Sequence, residues 1–446
     1  MRILISGDGY TGSHLARLLS MENQDVILIG EDKKRLEELD AQNNIIAIEG
    51  SGVMPSSLMS AGVSQCDLFI GVTPWGNENI VSSQLAKALG ARRAVARIDN
   101  GELITDRMRE ILSNTGIDTV VYPENLVAHQ ILTILKHNGV NQWFELNNGA
   151  LVIVGVKVIP DSRLDGIYLY ELMKSEYPFH VAAIKRRGTT IIPKGNDRII
   201  AGDILYLSML PGIDDSVVGM CGRRTNKIRK VIISGAGKLT RQIVSVLSAG
   251  EYDVTVIDSD QGRCRKLSVG YPSVTVVNAD QRDYEVLCDE GLGQSDAFIA
   301  ANDSSEMNIV ASMLAKDAGV PCIIADIEDI QYFTEAENLN IDVVVNKMLL
   351  TSSAIVQMLL DSRHLHTSRC LVLEDADVSE IMVEASSKLT GEEVRNLRLP
   401  SGMTLAGIIR NGEGMLVSGD TRIKAGDHVV VFSLTGSLNR YDKLFR

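Results

Sequence analysis

The sequence predicts an α/β protein built from two copies of one plan, each a doubly wound parallel sheet followed by a small β-rich α+β domain. Three observations predict it. A short apolar run, Arg2-Ile3-Leu4-Ile5-Ser6, leads into Gly7-x-Gly9-x-x-Gly12 and then directly into a helical pattern with Leu15, Leu18 and Leu19 on one face. Apolar runs and amphipathic stretches then alternate, as parallel strands joined by helices require. Finally, the same order of elements returns in the second half of the chain.

Each element has its own signal. Val26 to Ile29, Asn44 to Glu49, Leu68 to Val72, Ala94 to Ile98 and Asp118 to Val121 read as buried strands. Residues 11–21, Lys33 to Leu39, Ser56 to Ala61 and Asn79 to Leu89 read as helices. After Pro123 the pattern changes. A long helix over Glu124 to His137 is followed by short alternating strands at Leu151 to Val158, Val181 to Ile184, Thr190 to Ile192 and Ile204 to Leu207. Turn signals separate them at Arg187-Gly188, Lys194-Gly195-Asn196 and Ala201-Gly202-Asp203.

The repeat is explicit. Lys230-Val231-Ile232-Ile233-Ser234-Gly235-Ala236-Gly237 echoes the opening run, and Asp253 to Ile257 echoes Asp25 to Ile29. Asn308-Ile309-Val310-Ala311-Ser312-Met313-Leu314-Ala315-Lys316 echoes Asn79 to Lys87, and Gly419 to Asp427 echoes Gly195 to Asp203. The expected layout is 1–123 (first parallel-sheet domain), 124–140 (connecting helix), 141–224 (first β-rich domain), 228–350 (second parallel-sheet domain), 351–368 (connecting helix) and 369–446 (second β-rich domain).

Bulk composition narrows the function. The 446 residues carry a net charge of −13 with 4% aromatics, which argues against a phosphate-backbone binder and against base-stacking platforms. The basic stretch Arg223-Arg224-Thr225-Asn226-Lys227-Ile228-Arg229-Lys230 reads as an interdomain linker. Six cysteines form no C-x-x-C pair, so no zinc knuckle or redox motif is expected. Met1 is followed directly by a strand pattern and no apolar run reaches about 18 residues, so neither a secretory signal nor a membrane span is expected.

The strand–glycine turn–helix order at the start is the one a Rossmann dinucleotide site requires. Gly7 suits the tight turn, Gly9 lets a pyrophosphate approach the backbone, and Gly12 lets the helix pack close. The helix N-terminus then offers free N–H groups to the anion. Alone, this motif does not separate a cofactor enzyme from a sensor.

The tandem pairing of a Rossmann half with a β-rich half is more specific. It resembles the RCK (also called KTN) domains that regulate potassium transport, and within them the peripheral nucleotide-binding subunits of Trk potassium-uptake systems. The resemblance covers essentially the whole chain. Arg187-Gly188 with Gly202-Asp203, and Arg410-Asn411-Gly412 with Gly426-Asp427, are similar to the family's Arg-x-Gly turn and Gly-Asp ending. The resemblance implies a cytoplasmic gating ring, a homotetramer peripheral on the inner face of the cell membrane, beneath an integral-membrane potassium-translocating subunit of the TrkH or TrkG kind. It implies NAD(H) as ligand, with ATP or ADP as further candidates, and a regulator rather than an enzyme.

The candidate site residues follow from motif and resemblance together. In the first half they are the loop Gly7, Asp8, Gly9, Tyr10, Thr11 and Gly12, with Glu31 for the ribose, Ser51 for the adenine side, Thr73 lining the cleft and Arg97 for phosphate. The tip of the second strand, where a ribose-binding carboxylate stands in such sites, is Gly30, so Glu31 reaches from one position further on or is simply solvated. Asn79 is read as a helix cap. In the second half the candidates are Gly235, Gly237, Lys238, Leu239, Asp258, Ala279 and Asp280. There Thr240 stands in place of the third glycine and is expected to hold the helix away from its strand. Asp326 stands in place of Arg97 and is expected to repel phosphate. The two halves are therefore expected to treat ligands differently.

No catalytic constellation is evident. His364-x-His366 reads as surface histidines, with a metal pair as the alternative, and His14 as a helix-face residue, with phosphate contact as the alternative; Asp161, Asp165 and Asp203 are candidates for an ion site, although turn chemistry explains Asp203 better. The competing readings are an NAD-dependent oxidoreductase, for which His180 and His428 are the only acid–base candidates in the β-rich halves, a regulatory subunit of another cation transporter, and a scaffold with unliganded Rossmann folds.

Overall fold

The computed structural model describes residues 1–22, 24–43, 45–172, 178–339, 341–362, 367–372 and 376–434. His364 and His366 lie outside the described residues.

The first sheet contains β1 (Arg2–Ser6), β2 (Asp25–Gly30), β3 (Ile46–Glu49), β4 (Leu68–Gly71), β5 (Ala94–Arg97) and β6 (Thr119–Val121) in the order β3-β2-β1-β4-β5-β6. Every pairing is parallel, with Ser6 opposite Ile29 on one side and Gly71 on the other. The strands are nearly continuous apolar runs because helices cover both faces. These are α1 (Tyr10–Met21), α2 (Lys33–Asn43), α3 (Pro55–Ser60), α4 (Gly76–Ala88) and α5 (Asp106–Asn114); α6 (Pro123–Lys136) follows β6 in the chain. Leu4, Ile27, Ile29, Phe69 and Ala94 of the sheet pack with Leu58 and Ala86 of the helices. The strand order reverses between β1 and β4, and that crevice is where such sheets bind ligands. Helix α5 is an addition to the sequence reading. Only Leu112 of it is buried, which leaves a weak apolar signal.

The first β-rich domain is an antiparallel sheet of β7 (Gln142–Leu146), β8 (Leu151–Lys157), β9 (Phe179–Arg186), β10 (Thr189–Ile191) and β11 (Ile204–Met209), ordered β10-β9-β11-β8-β7. Two short helices, α7 (Leu169–Leu172) and α8 (Asp214–Met220), flank it.

The second parallel sheet comprises β12 (Lys230–Ser234), β13 (Asp253–Asp258), β14 (Thr275–Asn278), β15 (Ala297–Ala300), β16 (Ile323–Asp326) and β17 (Val343–Val345). Its order, β14-β13-β12-β15-β16-β17, repeats that of the first. Its helices are α9 (Lys238–Leu247), α10 (Gln261–Gly270), α11 (Tyr284–Asp289), α12 (Ser305–Asp317) and α13 (Ile330–Asn338); α14 (Lys347–Ser362) follows β17 in the chain. The last sheet, β18-β19-β22-β20-β21, is formed by β18 (Thr367–Val372), β19 (Ala376–Met382), β20 (Met403–Arg410), β21 (Glu413–Met415) and β22 (His428–Leu434).

The chain folds as two compact units. The first is Met1–Leu126 together with Met348–Leu359 of α14. The second contains Val127–Lys347 and the second β-rich sheet. Within the second unit the two β-rich sheets share one core, where Leu151, Ile153, Ala182 and Tyr206 meet Val378, Ala406, Val430 and Phe432. The Tyr206 and Phe432 rings are 5.1 Å apart, a tilted aromatic contact. The basic stretch before β12 carries no helix or strand over residues 223–229. Its Arg223 donates to Asp342 at 2.7 Å, while Asp342 also accepts from the Ile323 amide at 3.0 Å.

Candidate nucleotide-binding sites

The first site is built on the turn between β1 and α1. The Gly7 amide donates to the Ile29 carbonyl at 2.9 Å, which ties the turn to β2. Gly7 has φ +119°, and a Cβ there would lie 2.8 Å from the Thr73 nitrogen. A Cβ on Gly12 would fall 1.8 Å from the Gly7 oxygen. Both glycines are therefore required by the turn itself. Gly9 is different. Its φ of −64° suits any residue, and no heavy atom lies within 4 Å of its Cβ position. The bare backbone of Gly9 faces open space, which is the room a phosphate needs. Helix α1 starts at Tyr10, an exposed ring beside that space, and Thr11 is buried behind it.

Across the crevice, the end of β4 is held by Asn79. Its Oδ1 accepts from the Thr73 amide at 2.8 Å, and its Nδ2 donates to the Thr73 and Arg97 carbonyls at 2.8 and 2.9 Å. Asn79 is completely buried in the body of α4, and Trp75 is the residue before the helix. The cap reading is corrected: Asn79 staples the tips of β4 and β5 together. Thr73 turns its hydroxyl to its own loop, where it meets the Trp75 amide and carbonyl and Glu78. Among the described residues Arg97 pairs with no carboxylate, and its buried Nε has no acceptor. Its charge is thus uncommitted. Glu31 is exposed just past β2, and Ser51 is half-buried after β3. His14 is held neutral: burial, reinforced by Arg17, pushes its pKa down to about 4. His14 lies partly buried on α1, and its Nε2 has no hydrogen-bond partner among the described residues.

The second site repeats the frame with other groups. Gly235 has φ +101°, and its amide donates to the Ile257 carbonyl at 2.8 Å. Thr240 fits at the third glycine position because its hydroxyl donates to the Gly235 carbonyl at 2.7 Å. A Cβ at Gly12 would instead collide with the Gly7 oxygen. Asn308 repeats the staple, with bonds of 2.8 Å from the Asn302 amide and 2.7 Å to the Asp326 carbonyl. Lys238 opens α9 and is exposed, whereas the Leu239 side chain is buried and leaves only its backbone to a ligand.

Three features differ from the first site. Arg263 Nη2 lies 2.7 Å from Asp303 Oδ2, and the Asp303 Oδ1 is 3.3 Å from the Cβ position of Gly237. Gln281, the residue after Ala279 and Asp280, is buried and spans from the Ser259 amide to Asn302. Asp280 is taken by Arg282 at 2.8 Å, and that hydrogen bond draws its pKa down to about 2. The expected repulsion by Asp326 is corrected as well. Lys347 Nζ sits 3.1 Å from its carboxylate and also binds Glu328, so the buried charge is neutralised.

The turn residues of the β-rich domains are structural. Asp203 is a bidentate partner of Arg186 at 2.7–2.8 Å and accepts from the Ile200 amide, and Asp165 accepts from the Ala201 and Asp161 amides. Asp427 repeats the arrangement with Arg410. Burial lowers the His180 pKa, and His428 Nδ1 lies 2.8 Å from Glu380. Among the described residues no three His, Cys, Asp or Glu gather as a metal-binding group, and no helix is long and apolar enough to cross a membrane.

Two Rossmann-type crevices, each with a glycine turn and each followed by an antiparallel domain, define a tandem RCK-type protein. Residues 3–123 and 231–347 match the TrkA-N domain, and residues 378–446 match the TrkA-C domain. The chain belongs to the TrkA family. It is 29% identical over 446 residues to the Trk system potassium uptake protein TrkA homolog of Archaeoglobus fulgidus, covering all of both chains. It is 28% identical to Trk system potassium uptake protein TrkA of Azorhizobium caulinodans, covering 100% of this chain and 99% of that one. Among solved structures, the GsuK RCK domain matches with a TM-score of 0.58 at 15% identity, over 100% of this chain and 94% of that one. The GsuK channel bound to NAD matches at 0.59 and 15% identity, over 100% and 78%.

Proposed function

We propose that this chain is a nucleotide-binding regulatory subunit of a potassium-uptake system. An adenine nucleotide, NAD(H) with ATP or ADP as further candidates, enters the first Rossmann crevice and shifts the conformation of the subunit. That shift gates an integral-membrane potassium-translocating partner of the TrkH or TrkG kind. The subunit acts as a homotetramer, peripheral on the inner face of the membrane, and makes or breaks no bond in its ligand. A ligand can bias such an equilibrium only by binding one state more tightly than the other.

The observation that carries the reading is the open space over Gly9 at the N-terminus of α1, with Arg97, unpaired among the described residues, ending β5 of the same sheet. A helix N-terminus and a guanidinium both suit phosphate oxygens. The full-length relatives named as Trk potassium uptake proteins support the transport context, and the NAD-bound and ADP-bound GsuK channel structures support the ligand class. The first-site candidates are Gly7, Asp8, Gly9, Tyr10, Thr11, Gly12, Glu31, Ser51, Thr73 and Arg97. The second-site candidates are Gly235, Gly237, Lys238, Leu239, Asp258, Ala279 and Asp280.

Calorimetric titration of the full chain with NADH, NAD, ATP and ADP tests the reading, paired with potassium uptake in cells lacking the chain. Wild type should bind at least one ligand and restore uptake, and Gly9→Ala should lose both ligand and regulation. Equal restoration by Gly9→Ala, or turnover of NADH, would overturn it.

A further inference from the structure

At the first site a carboxylate from the glycine turn stands in the place of a strand-tip side chain. Gly30 ends β2, where a Rossmann site carries its ribose carboxylate. The space beside it is not empty. A Cβ on Gly30 would lie 2.5 Å from both Cβ and Cγ of Asp8 and 2.6 Å from its Oδ2. Asp8 belongs to the glycine turn after β1. Its carboxylate fills the volume that a side chain at position 30 would occupy.

The second site shows the unexchanged arrangement. The same register, Ser234 opposite Ile257 as Ser6 is opposite Ile29, puts Asp258 where Gly30 stands and Ala236 where Asp8 stands. Asp258 Oδ2 accepts from the Ala236 amide at 2.6 Å, and Oδ1 accepts from the Asp260 amide at 2.7 Å. Asp8 Oδ2 accepts from the Asp32 amide at 2.7 Å. Asp32 is two residues past the end of β2, as Asp260 is two past Asp258. Two carboxylates hung from different strands thus reach the same backbone donor. An Asp at position 30 with Asp8 present would overlap it, and a Gly at position 258 with Ala236 present would leave the donor bare. The residues change as a pair.

The two carboxylates differ in what they have left to offer. Both oxygens of the buried Asp258 are already on backbone amides. Among the described residues no donor reaches Asp8 Oδ1, and Asp8 is only half-buried beside the open space over Gly9. A carboxylate oxygen in that position accepts hydroxyl donors and repels an added phosphate. Arg35 Nη1 donates to the Asp8 carbonyl at 3.0 Å, which fixes the turn that carries it.

We propose that Asp8, not Glu31 or the strand tip, recognises the ribose hydroxyls of an adenine nucleotide at the first site, and so selects nucleotides whose ribose is unphosphorylated. The proposal rests on the nucleotide reading above and assigns its specificity. The test is titration of the full chain with ADP, 2′-deoxy-ADP, NADH and NADPH, using Gly9→Ala to mark the first-site isotherm. Wild type should favour ADP over the deoxy form and NADH over NADPH. Asp8→Asn should weaken ADP by about ten- to a hundredfold, the range for a hydrogen bond to a charged group, and erase both preferences. The double variant Asp8→Ala/Gly30→Asp should restore them, since it returns the carboxylate to the strand tip. It also refills the volume, so the ribose readout stands on it alone if Asp8→Asn does not fold. Unchanged preferences in Asp8→Asn, or their loss in Glu31→Gln instead, overturn the assignment alone. Absence of any Gly9→Ala-sensitive isotherm overturns it together with the nucleotide reading.

Discussion

Arg263 and Asp303 form an ion pair at 2.7 Å that stands beside the bare backbone of Gly237, where a phosphate would enter the second crevice. The pair joins the start of α10 to the loop after β15. Its counterpart positions at the first site hold Arg35, which turns to the Asp8 carbonyl, and Pro74, which has no charge to offer. The second mouth therefore has a charged cover and the first does not. Both partners are well exposed, at 44% and 71%, so the pair is worth at most about 1 kcal/mol and opens readily.

Asp303→Ala should uncover the second site and free Arg263 to meet phosphate. In a Gly9→Ala background, ADP affinity should rise by roughly threefold to tenfold, while the melting temperature stays nearly constant, because an exposed pair carries only about 0–1 kcal/mol. Calorimetry and a thermal melt on one preparation check both. Unchanged or weaker ADP binding would show that the pair does not guard the site.

Two glycines of the first turn, Gly9 and Gly12, should separate by substitution to alanine. Gly9→Ala places its methyl in open space at a permitted φ, so folding should be unaffected and the loss confined to ligand binding. Gly12→Ala drives a methyl to 1.8 Å from the Gly7 oxygen, so α1 must shift. Overpacking of this kind costs about 1–3 kcal/mol. Thermal melts without ligand should show a drop for Gly12→Ala and none for Gly9→Ala. A matching drop in both would remove the case that Gly9 is kept bare for a ligand.

Much of the frame was legible because it depends on short-range pattern. Apolar runs give the strands, glycine turns mark the crevices, and the internal repeat gives the tandem order. What escaped depends on groups far apart in sequence. The overlap of Asp8 with position 30 is visible only once two loops meet in space. Asn79 resembles a cap by position, and only its complete burial between the tips of β4 and β5 makes it a staple. Asp326 looks repulsive until Lys347, a neighbour through the β16–β17 pairing, is placed beside it. The Arg263–Asp303 cover has no motif at all. Helix α5 went unread because it buries a single leucine.

His14 sets a pH dependence. Its pKa is about 4 in the folded chain against an ordinary 6.5, because burial disfavours the charged imidazole. Between those values the unfolded chain binds the proton and the folded chain does not, so stability rises with pH across that window. Full protection is present above about 6.5, and it fades as pH falls toward 4, by up to about 3 kcal/mol for this residue. His14→Gln cannot take up the proton and should flatten the slope. Melting temperatures of both proteins at pH 4.5 and 7.5 check this, and equal slopes would assign the dependence elsewhere.

The two β-rich domains offer a reciprocal exchange. Each has a two-residue hairpin beside the same bridge from a half-buried arginine to a buried aspartate, Arg186 with Asp203 and Arg410 with Asp427. Both loops run through left-handed backbone, Arg187 at φ +50° then Gly188 at +79°, and Asn411 at +53° then Gly412 at +83°. A two-residue loop of this hand is a type I′ turn, whose first central position favours Asn and Gly. Arginine has no compensating local hydrogen bond there, and left-handed backbone costs an ordinary residue about 1–2 kcal/mol. Arg187 is exposed, so its replacement disturbs no packing. Arg187→Asn should therefore stabilise the second compact unit by about 0.5–1 kcal/mol, and Asn411→Arg should destabilise it by a similar amount, since the backbone preference is the only term exchanged. Differential scanning calorimetry of the two single variants and of the double exchange checks the pair. The double exchange should melt close to wild type. A gain in both single variants would mean that the turns are not equivalent, and that the shared bridge rather than the shared backbone sets their stability.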